Sequence, residues 1–538
     1  MQAATWNGNG GNVNWSTGGN WVGGVPPASS SGTDLFFAGT NNTGTAGTPL
    51  LQNIANPFRL NNLTFSNGAG AFFLGGNAIE FQGASNTITQ NSSSAQSIAN
   101  NIDAGANTAT ILTLTGGGTG VVTLSGIISI GNGNRDYAIV KSGSGTFSLT
   151  GANTYAGGTT INGGTLMINS SANLGAVSGA LTINAGTLEI ATGFTTARSI
   201  TLGSAASTFQ VDPSQTYTVI SALGGSGALN KTGTGTMALS GVNTYSGGTV
   251  VSAGTLRINA SERLTNGGTL TISGGTFDLQ TFTETTSTVT LASGSITGSG
   301  TGTLIGSSYV LQSGSVSAIL GGTGVLTKTT AGTVTLSGSN TFTGSTTVSG
   351  GTLTVSAGGA GALGSTASVR VNSGGTLLLG ANDQINNSAT ITLNGGTFSK
   401  GAFSEGAPNS AGLGALTLTS NDSHIDFGTG AGGVLSFASF NPNAFTLVID
   451  NWTGTVNMAG GTDRLIFDTS QAFNLNNFSF TGYAGATEID LGNGFYEITP
   501  TAVPEPSTYA AALLALGATA YHQRRRFRRM RTNPARLT

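Results

Sequence analysis

Short segments in which apolar and polar residues alternate recur along most of the chain. They are four to six residues long, lie between Gly-rich turns, and run from about residue 53 to residue 480. In "GTLRIN" (254–259), Leu256 and Ile258 would share one face of a strand while Arg257 lies on the other. No stretch of this body has the i, i+3, i+4 apolar spacing of a helix. The pattern therefore predicts many short strands, each with one buried face.

Three longer segments repeat one pattern, at residues 141–169, 231–259 and 328–356. Each begins at a Lys, has an Asn twelve residues later and an aromatic residue two positions further on, and ends in a "GTL" strand. These positions are Lys141, Asn153 and Tyr155; Lys231, Asn243 and Tyr245; and Lys328, Asn340 and Phe342. We expect the Asn to stack or cap a turn inside the fold rather than to bind a ligand.

Strands this short cannot each bury a face alone. Stacked in coils of ~20–25 residues, they would share one continuous interior. The predicted fold class is all-β, a right-handed parallel β-helix (solenoid), with an array of β-sandwiches as the alternative. The predicted divisions are an N-terminal Trp/Asn/Gly-rich segment with the first coils (1–50), a β-helix with the repeats (51–420), a C-terminal β region (421–500) and a tail (503–531).

The pattern "GxNTYSGGTTVxxGTL" of the three copies resembles the autotransporter-associated β-strand repeat of secreted bacterial passenger proteins. The resemblance implies a β-helical stalk, and it implies no particular activity.

Composition excludes several kinds of site. Only 7% of residues are charged, against roughly 25% in ordinary soluble domains. Residues 1–500 hold 11 Lys/Arg against 19 Asp/Glu, whereas residues 501–538 hold seven Arg and one Glu, which argues against a nucleic-acid partner for the body. The absence of Cys excludes disulfides, thiolate metal sites and a Cys nucleophile.

Three of the four tryptophans lie near the N-terminus, at Trp6, Trp15 and Trp21. We expect them to cap the open end of the core. The alternative is a glycan-binding module in which the rings stack on sugars.

Groups that could carry catalysis are sparse. Asp422, His424 and Asp426 occupy alternate positions, so a strand would place them on one face, as a metal or acid–base site requires. We interpret this segment as a solvated strand face, and Asp463 and Asp468 as local charge partners of Arg464. The prediction is a protein without catalytic residues, metal ligands or cofactor. A carbohydrate-active β-helix enzyme is the alternative.

The tail differs from the body. An uncharged run of 14 residues, Thr508–Tyr521, precedes an Arg cluster. It is shorter than the ~20 residues that span a bilayer comfortably, but flanking arginines can extend it. We predict a short transmembrane helix with the arginines on the cytoplasmic side. The alternative is a basic amphipathic tail on anionic lipid.

The order of "VPEPS", apolar helix and Arg cluster resembles the PEP-CTERM sorting signal. The resemblance implies a transient hold in the inner membrane and processing by an exosortase-type protease. The residues of the signal would be Val503, Pro504, Glu505, Pro506, Ser507, Arg524, Arg525, Arg526, Arg528 and Arg529.

The predicted function is that of an exported structural β-helix protein at the cell surface or in the matrix, with adhesion as an extension of that role. The expected partners are the sorting protease, the inner membrane through the C-terminal helix, and exopolysaccharide. An exported protein needs a leader, and none follows Met1. We expect that the start is set too late and that "QAA" is the remnant of a cleavage site.

Overall fold

A computed structural model describes residues 2–104, 111–129, 137–410, 412–430, 432–468, 473–503 and 506–531. The chain forms two compact units, Met1–Gly344 and Ser345–Thr538. Counted together, the described residues make about 17 turns of parallel β-solenoid. The predicted all-β parallel solenoid is therefore confirmed. Its right-handed winding stays a prediction. The domain divisions at residues 50, 420 and 500 also stay predictions.

The described strands of the first unit are short. They are β1 Gln2–Trp6, β2 Thr33–Phe37, β3 Leu50–Gln52, β4 Phe58–Leu60, β5 Asn62–Phe65, β6 Phe73–Gly76, β7 Ile79–Phe81, β8 Thr87–Gln90, β9 Gln96–Ile98, β10 Ile102–Ala104, β11 Ile111–Thr115, β12 Val122–Leu124, β13 Ile128–Ser129, β14 Ala138–Lys141, β15 Thr146–Leu149, β16 Thr159–Ile161, β17 Thr165–Ile168, β18 Leu181–Ile190, β19 Phe194–Thr196, β20 Ile200–Val211, β21 Thr216–Val219, β22 Leu223–Gly225, β23 Leu229–Thr232, β24 Thr236–Leu239, β25 Thr249–Val251, β26 Thr255–Ile258, β27 Leu270–Asp278, β28 Thr283–Thr297, β29 Thr303–Leu311, β30 Gly314–Val316, β31 Ile319–Gly321, β32 Val325–Lys328 and β33 Thr333–Leu336. Short 3-10 helices cover Gly18–Asn20 and Ser171–Leu174.

The strands of the first unit stack in parallel register. In one interior column, Phe147 of β15 lies beside Leu166 of β17, followed by Leu188 of β18 and Phe209 of β20. All four side chains are buried. Every strand pair described in this unit is parallel, which excludes the β-sandwich array for it, because sandwiches are built from antiparallel sheets.

The Gly of the "GTL" turn meets a steric requirement. Gly254 has φ +62°, and a Cβ there would lie 2.4 Å from the carbonyl oxygens of both Gly233 and Gly235 in the preceding coil. Gly164 has φ +63° in the same position of the first copy. Glycine is therefore required at this turn both for its positive φ and for the close approach of the preceding coil.

The three N-terminal tryptophans lie inside the first unit. Trp6, Trp15 and Trp21 are 0–1% exposed. Trp6 and Trp21 meet edge to face with ring centroids 5.2 Å apart, and Trp15 lies 5.6 Å from Phe58. The expected cap on the core is confirmed. Sugar stacking on these rings is wrong, because no ring face reaches solvent.

The second unit begins with the same parallel stacking and ends differently. Its described strands are β34 Thr346–Val348, β35 Gly351–Val355, β36 Ser368–Asn372, β37 Gly375–Leu379, β38 Thr390–Asn394, β39 Thr397–Ser399, β40 Leu413–Leu418, β41 Ser423–Asp426, β42 Val434–Asn441, β43 Leu447–Asp450, β44 Arg464–Asp468, β45 Phe478–Phe480, β46 Gly485–Gly492 and β47 Phe495–Thr501, with a 3-10 helix at Leu475–Asn477. The pairs β44–β47 and β46–β47 are antiparallel. A hairpin therefore follows the last parallel coils.

One helix, α1, covers Pro506–Arg531. Within the described part of the chain, no helix combines the length and the apolar character needed to cross a membrane. The prediction of a transmembrane helix is therefore wrong, because the uncharged run ends at Tyr521 and arginines follow from Arg524.

Candidate functional site

The Lys that begins each repeat copy points into the solenoid. Lys141 is fully buried, and its Nζ donates to the carbonyl oxygens of Ser142 (2.8 Å), Gly143 (3.0 Å) and, in the next coil, Gly163 (2.9 Å). Three carbonyl groups match the three N–H donors of an ammonium group. Burial lowers the pKa of Lys141 to about 8. This Lys joins two coils and offers no free amine to a ligand.

The second copy repeats this geometry. Lys231 Nζ donates to Thr232 O (2.7 Å), Gly233 O (2.9 Å) and Ala253 O (3.2 Å), and burial lowers its pKa to about 8. Lys328 in the third copy is also fully buried. The sequence singled out these lysines by spacing, and the structure shows that they hold turns.

The Asn of each copy contacts the preceding coil, and in the first two copies it also contacts the following coil. Asn153 Oδ1 accepts the backbone N–H of Ile128 in the coil before (2.8 Å), and its Nδ2 donates to Asn173 O in the coil after (2.6 Å). The same contacts recur from Leu223 N to Asn243 Oδ1 (2.7 Å), from Asn243 Nδ2 to Arg263 O (2.5 Å), and from Leu320 N to Asn340 Oδ1 (2.8 Å). The predicted structural role of this Asn is confirmed.

The aromatic residue of the repeat is buried as well. The hydroxyl of Tyr155 hydrogen-bonds Thr159 Oγ1 (2.7 Å), and that of Tyr245 bonds Thr249 Oγ1 (2.5 Å). The third copy has Phe342, also buried, which carries no hydroxyl. The polar groups that define the repeat are therefore committed to contacts inside the fold.

Two buried glutamates and one buried arginine also bind main-chain groups inside the fold, and no pattern in the sequence indicates them. In the first unit, Glu284 accepts the N–H groups of Arg263 (2.7 Å) and Leu264 (3.0 Å). Burial raises the pKa of Glu284 to about 7, against the opposing effect of those two donors. In the same unit the guanidinium of Arg198 donates to carbonyl groups of the loop that follows β17, including Gly175 O (2.8 Å).

The second unit has its own buried acid. Glu405 accepts the N–H of Gln384 at 2.6 Å, and burial raises its pKa to about 8. Isolated Glu and Arg residues in a β-rich chain are usually exposed, so no pattern in the sequence distinguishes these from surface charges.

The acidic segment around His424 does not form the three-residue face that alternation allows. Asp422 lies in a turn with φ +57°, before β41 begins. His424 Nδ1 lies 2.6 Å from Asp450 Oδ2 of β43, while Asp426 accepts from Asn451 Nδ2 at 2.7 Å. Among the described residues, no group of three or more His, Asp or Glu side chains is placed to hold a metal ion.

The predicted local pairing of Arg464 with Asp463 and Asp468 is wrong. Alternation sends Asp463 inward, where it pairs with Lys400 (Nζ–Oδ1 3.1 Å, both side chains buried). Arg464 points the other way and binds Glu497, with Nη2 2.8 Å from Oε2. The pairing with Lys400 and Glu497 could not be predicted from the sequence, because each lies more than 30 residues from its partner.

Two acids on the outside of the first unit lie close enough to interact. Glu189 lies between Met167 and Gln210 in register. Burial, and then the charge of Asp212, raise the pKa of Glu189. Glycoside hydrolysis requires two carboxyl groups on either side of a bound sugar. The contacts of Glu189 and Asp212 do not indicate where a sugar would bind. The absence of enzymatic activity stays a prediction.

The outer faces carry aligned hydroxyl groups. In the first unit, strand register places one hydroxyl residue from each of seven successive coils in line, all partly or largely exposed. This hydroxyl column consists of Thr216, Thr236, Thr255, Thr276, Ser295, Ser315 and Thr335. Neighbouring strands are ~4.8 Å apart, and Thr276 Oγ1 lies 2.9 Å from Ser295 Oγ. The column is a regular polar surface on this unit.

A shorter polar ladder lies on the second unit, where strands of four successive coils end. Asn372 Nδ2 donates to Ser349 Oγ (3.1 Å), Asn394 Nδ2 donates to Asn372 Oδ1 (3.0 Å), and Thr419 Oγ1 donates to Asn394 Oδ1 (3.0 Å). Both units therefore present ordered rows of uncharged hydrogen-bonding groups.

The residues of the predicted sorting signal are only partly described. Val503 is exposed, and Pro504 and Glu505 lie outside the described residues. Pro506 and Ser507 begin α1, and the arginines at 524, 525, 526, 528 and 529 lie within it. The sorting signal stays a prediction.

Comparison with known proteins agrees with the repeat pattern. The model of the passenger-associated-transport-repeat family matches residues 139–168, 229–258 and 326–355. A segment of 124 residues is 38% identical to the adhesin BmaC autotransporter of Brucella suis biovar 1 (strain 1330). That segment covers 23% of this chain and 4% of the adhesin. No solved structure matches the chain. The three copies thus match the passenger-associated-transport-repeat, in agreement with the repeat pattern, and part of the chain is similar in sequence to a small part of an adhesin.

Proposed function

We propose that this protein is an exported, adhesive structural solenoid whose outer faces bind glycan. The hydroxyl column carries the proposal. Seven coils repeat one hydroxyl at nearly constant spacing, whereas the Lys, Asn and Tyr residues of the repeats are committed to the interior. Hydroxyl groups form weak hydrogen bonds with sugar hydroxyls, and a regular row of them allows many such contacts at once.

Two further observations support this proposal. The similarity to an autotransporter adhesin, although it covers a small part of that protein, favours an adhesive role. The body carries few charged residues for its length, which limits electrostatic repulsion from a polymer or from neighbouring copies.

The C-terminal tail supports export and sorting as a second part of the proposal. The order of "VPEPS", the uncharged run and the arginines suits recognition by an exosortase-type protease, with Val503–Ser507 as the recognition segment. Release would then leave the solenoid at the cell surface or in exopolysaccharide.

Expression in a host with such a protease, from the full upstream sequence, tests this function. Cells would be fractionated, the C-terminal peptide identified by mass spectrometry, and adhesion to an exopolysaccharide-coated surface compared with cells lacking the protein. We expect a surface or secreted form that ends near Val503–Ser507 and stronger adhesion. An intact tail in the cytosol together with unchanged adhesion would contradict the proposal.

A further inference from the structure

A buried Lys–Asp pair lies in the second unit, outside the repeats. Lys400 Nζ is 3.1 Å from Asp463 Oδ1, and the two side chains are 0% and 2% exposed. Nζ also donates to Gly401 O at 2.9 Å. The lysines of the first two repeat copies contact carbonyl oxygens of the main chain, as shown above. Lys400 instead faces a side-chain carboxylate at contact distance.

An aromatic pair lies beside Lys400. The Phe427 ring centroid is 5.4 Å from Lys400 Nζ, and the Trp452 ring meets Phe427 nearly at right angles with centroids 4.9 Å apart. Two opposite charges removed from water lose their solvation, and only their mutual contact and the hydrogen bonds around them compensate for that loss. Transfer of one proton from the ammonium group to the carboxylate gives an amine beside a carboxylic acid.

The second carboxylate oxygen is held by two donors. Thr453 donates its backbone N–H (2.8 Å) and its hydroxyl (2.6 Å) to Asp463 Oδ2. Both donors act on one oxygen, while Oδ1 faces the amine. Donors placed on a carbonyl oxygen stabilise the negative charge that develops there when a nucleophile attacks the carbon.

We propose that Lys400 and Asp463 condense to form an intramolecular amide cross-link. The proton from Nζ first moves to Oδ1. The Nζ lone pair then attacks Cγ, and the negative charge forms on Oδ2, where the Thr453 donors stabilise it. When the intermediate collapses, the Cγ–Oδ1 bond breaks, and Oδ1 takes a second proton from Nζ and leaves as water. One N–C bond forms, one C–O bond breaks, and no oxidant or reductant is needed.

The cross-link would join the residue after β39 to the residue before β44, which are 63 positions apart in the chain. The intervening coils could then not be pulled apart lengthwise. The inference concerns the covalent structure of the second unit, and it does not depend on what the outer faces bind.

The mass of the purified folded protein tests the cross-link. We expect the chain to be lighter than its sequence by one water molecule. After unfolding in urea, trypsin should give one looped peptide from residue 371 to Arg464, since Arg370, Lys400 and Arg464 are consecutive trypsin sites. Cleavage after Lys231 in the same digest serves as the internal control.

Two variants locate the bond. Lys400→Arg and Asp463→Ala should each have the full sequence mass, and Asp463→Ala should be cleaved after Lys400. If a variant does not fold, the wild-type measurement still decides, because it needs no variant. A wild-type chain of full mass that trypsin cleaves after Lys400 would overturn the proposal and leave a buried ion pair.

Discussion

Asn243 Oδ1 accepts the backbone N–H of Leu223 from the preceding coil, and its Nδ2 donates to Arg263 O in the coil that follows. One buried amide therefore connects three successive coils. The same position in the other copies makes the equivalent contact with the preceding coil, so the repeated Asn is explained by coil stacking rather than by ligand binding.

Removal of the Asn243 side-chain amide should lower the stability of the protein. We expect Asn243→Ala to lower the free energy of unfolding by about 2–4 kcal/mol, because two buried main-chain groups lose their partners at about 1–3 kcal/mol each. Asn259→Ala is the matched control, because Asn259 is exposed and contacts Ser240 Oγ at the surface. Its effect should stay within about 0.5 kcal/mol. Urea unfolding measures both values, and equal losses would contradict the account.

Gly254 lies against the preceding coil, whereas Gly267 has open space around it. Substituting each by Ala therefore separates the effect of close stacking from the effect of a positive φ. Gly254→Ala should destabilise the protein by more than the about 1–2 kcal/mol that a left-handed φ costs alone, because its Cβ would meet two carbonyl oxygens at 2.4 Å. Gly267 has φ +82° and nothing within 4 Å of a built Cβ. Gly267→Ala should therefore show only the cost of φ. A similar thermal shift for both variants would mean that the close stacking at Gly254 is absent.

Glu284 makes stability depend on pH. Its pKa rises from 4.5 to about 7 on folding, so its contribution to stability is complete below pH 4.5 and is lost as the pH rises through 7. The free energy of unfolding should therefore fall between pH 5 and pH 7. Glu405, whose folded pKa is about 8, acts in the same direction over this window, so Glu284→Gln should reduce the fall without removing it. Ionisation of Lys141 and Lys231 changes the free energy of unfolding only above this pH window, because their folded pKa is about 8. A wild-type curve that rises over the window, or one that Glu284→Gln leaves unchanged, would contradict the assignment.

The chain has four lysines, and all four are buried. An amine-reactive reagent should therefore label the folded protein only at its N-terminus. After unfolding, Lys141, Lys231 and Lys328 should all react, while a cross-linked Lys400 should not. Mass spectrometry of the labelled peptides gives the result. Rapid labelling of Lys231 in the folded protein would show that its Nζ is not held inside the solenoid.

Much of the fold can be predicted from alternation. The period of two places Leu256 and Ile258 inside, and the repeated spacing singles out the Lys and Asn positions that later prove to be internal. The Trp cap also follows, because three large rings beside the first strands need cover.

Pairs between distant coils cannot be predicted in this way. Alternation places Asp463 on an inner face, but its contact with Lys400 depends on how many residues each intervening turn contains. Glu284 and Glu405 lie outside the three repeat copies, so the repetition does not indicate them. Their burial follows from the register in which the coils stack. The prediction of a membrane-spanning tail is wrong because the uncharged run has only 14 residues, and the arginines that follow it lower the apolar character of the helix.

If the outer hydroxyl column binds glycan, its hydroxyl groups should be needed to retain exopolysaccharide. Immobilised full-length protein would be compared with the triple variant Thr236→Val/Thr255→Val/Thr276→Val for retention of purified exopolysaccharide. Val keeps the β-branched shape of Thr and removes the hydroxyl. The control is Thr160→Val/Thr182→Val/Thr201→Val, a column of outward Thr residues on other strands of the same unit. We predict roughly tenfold weaker retention for the first variant, since multivalent contact is lost, and no change for the control. Unchanged retention in the first variant, or an equal loss in both, would contradict the account.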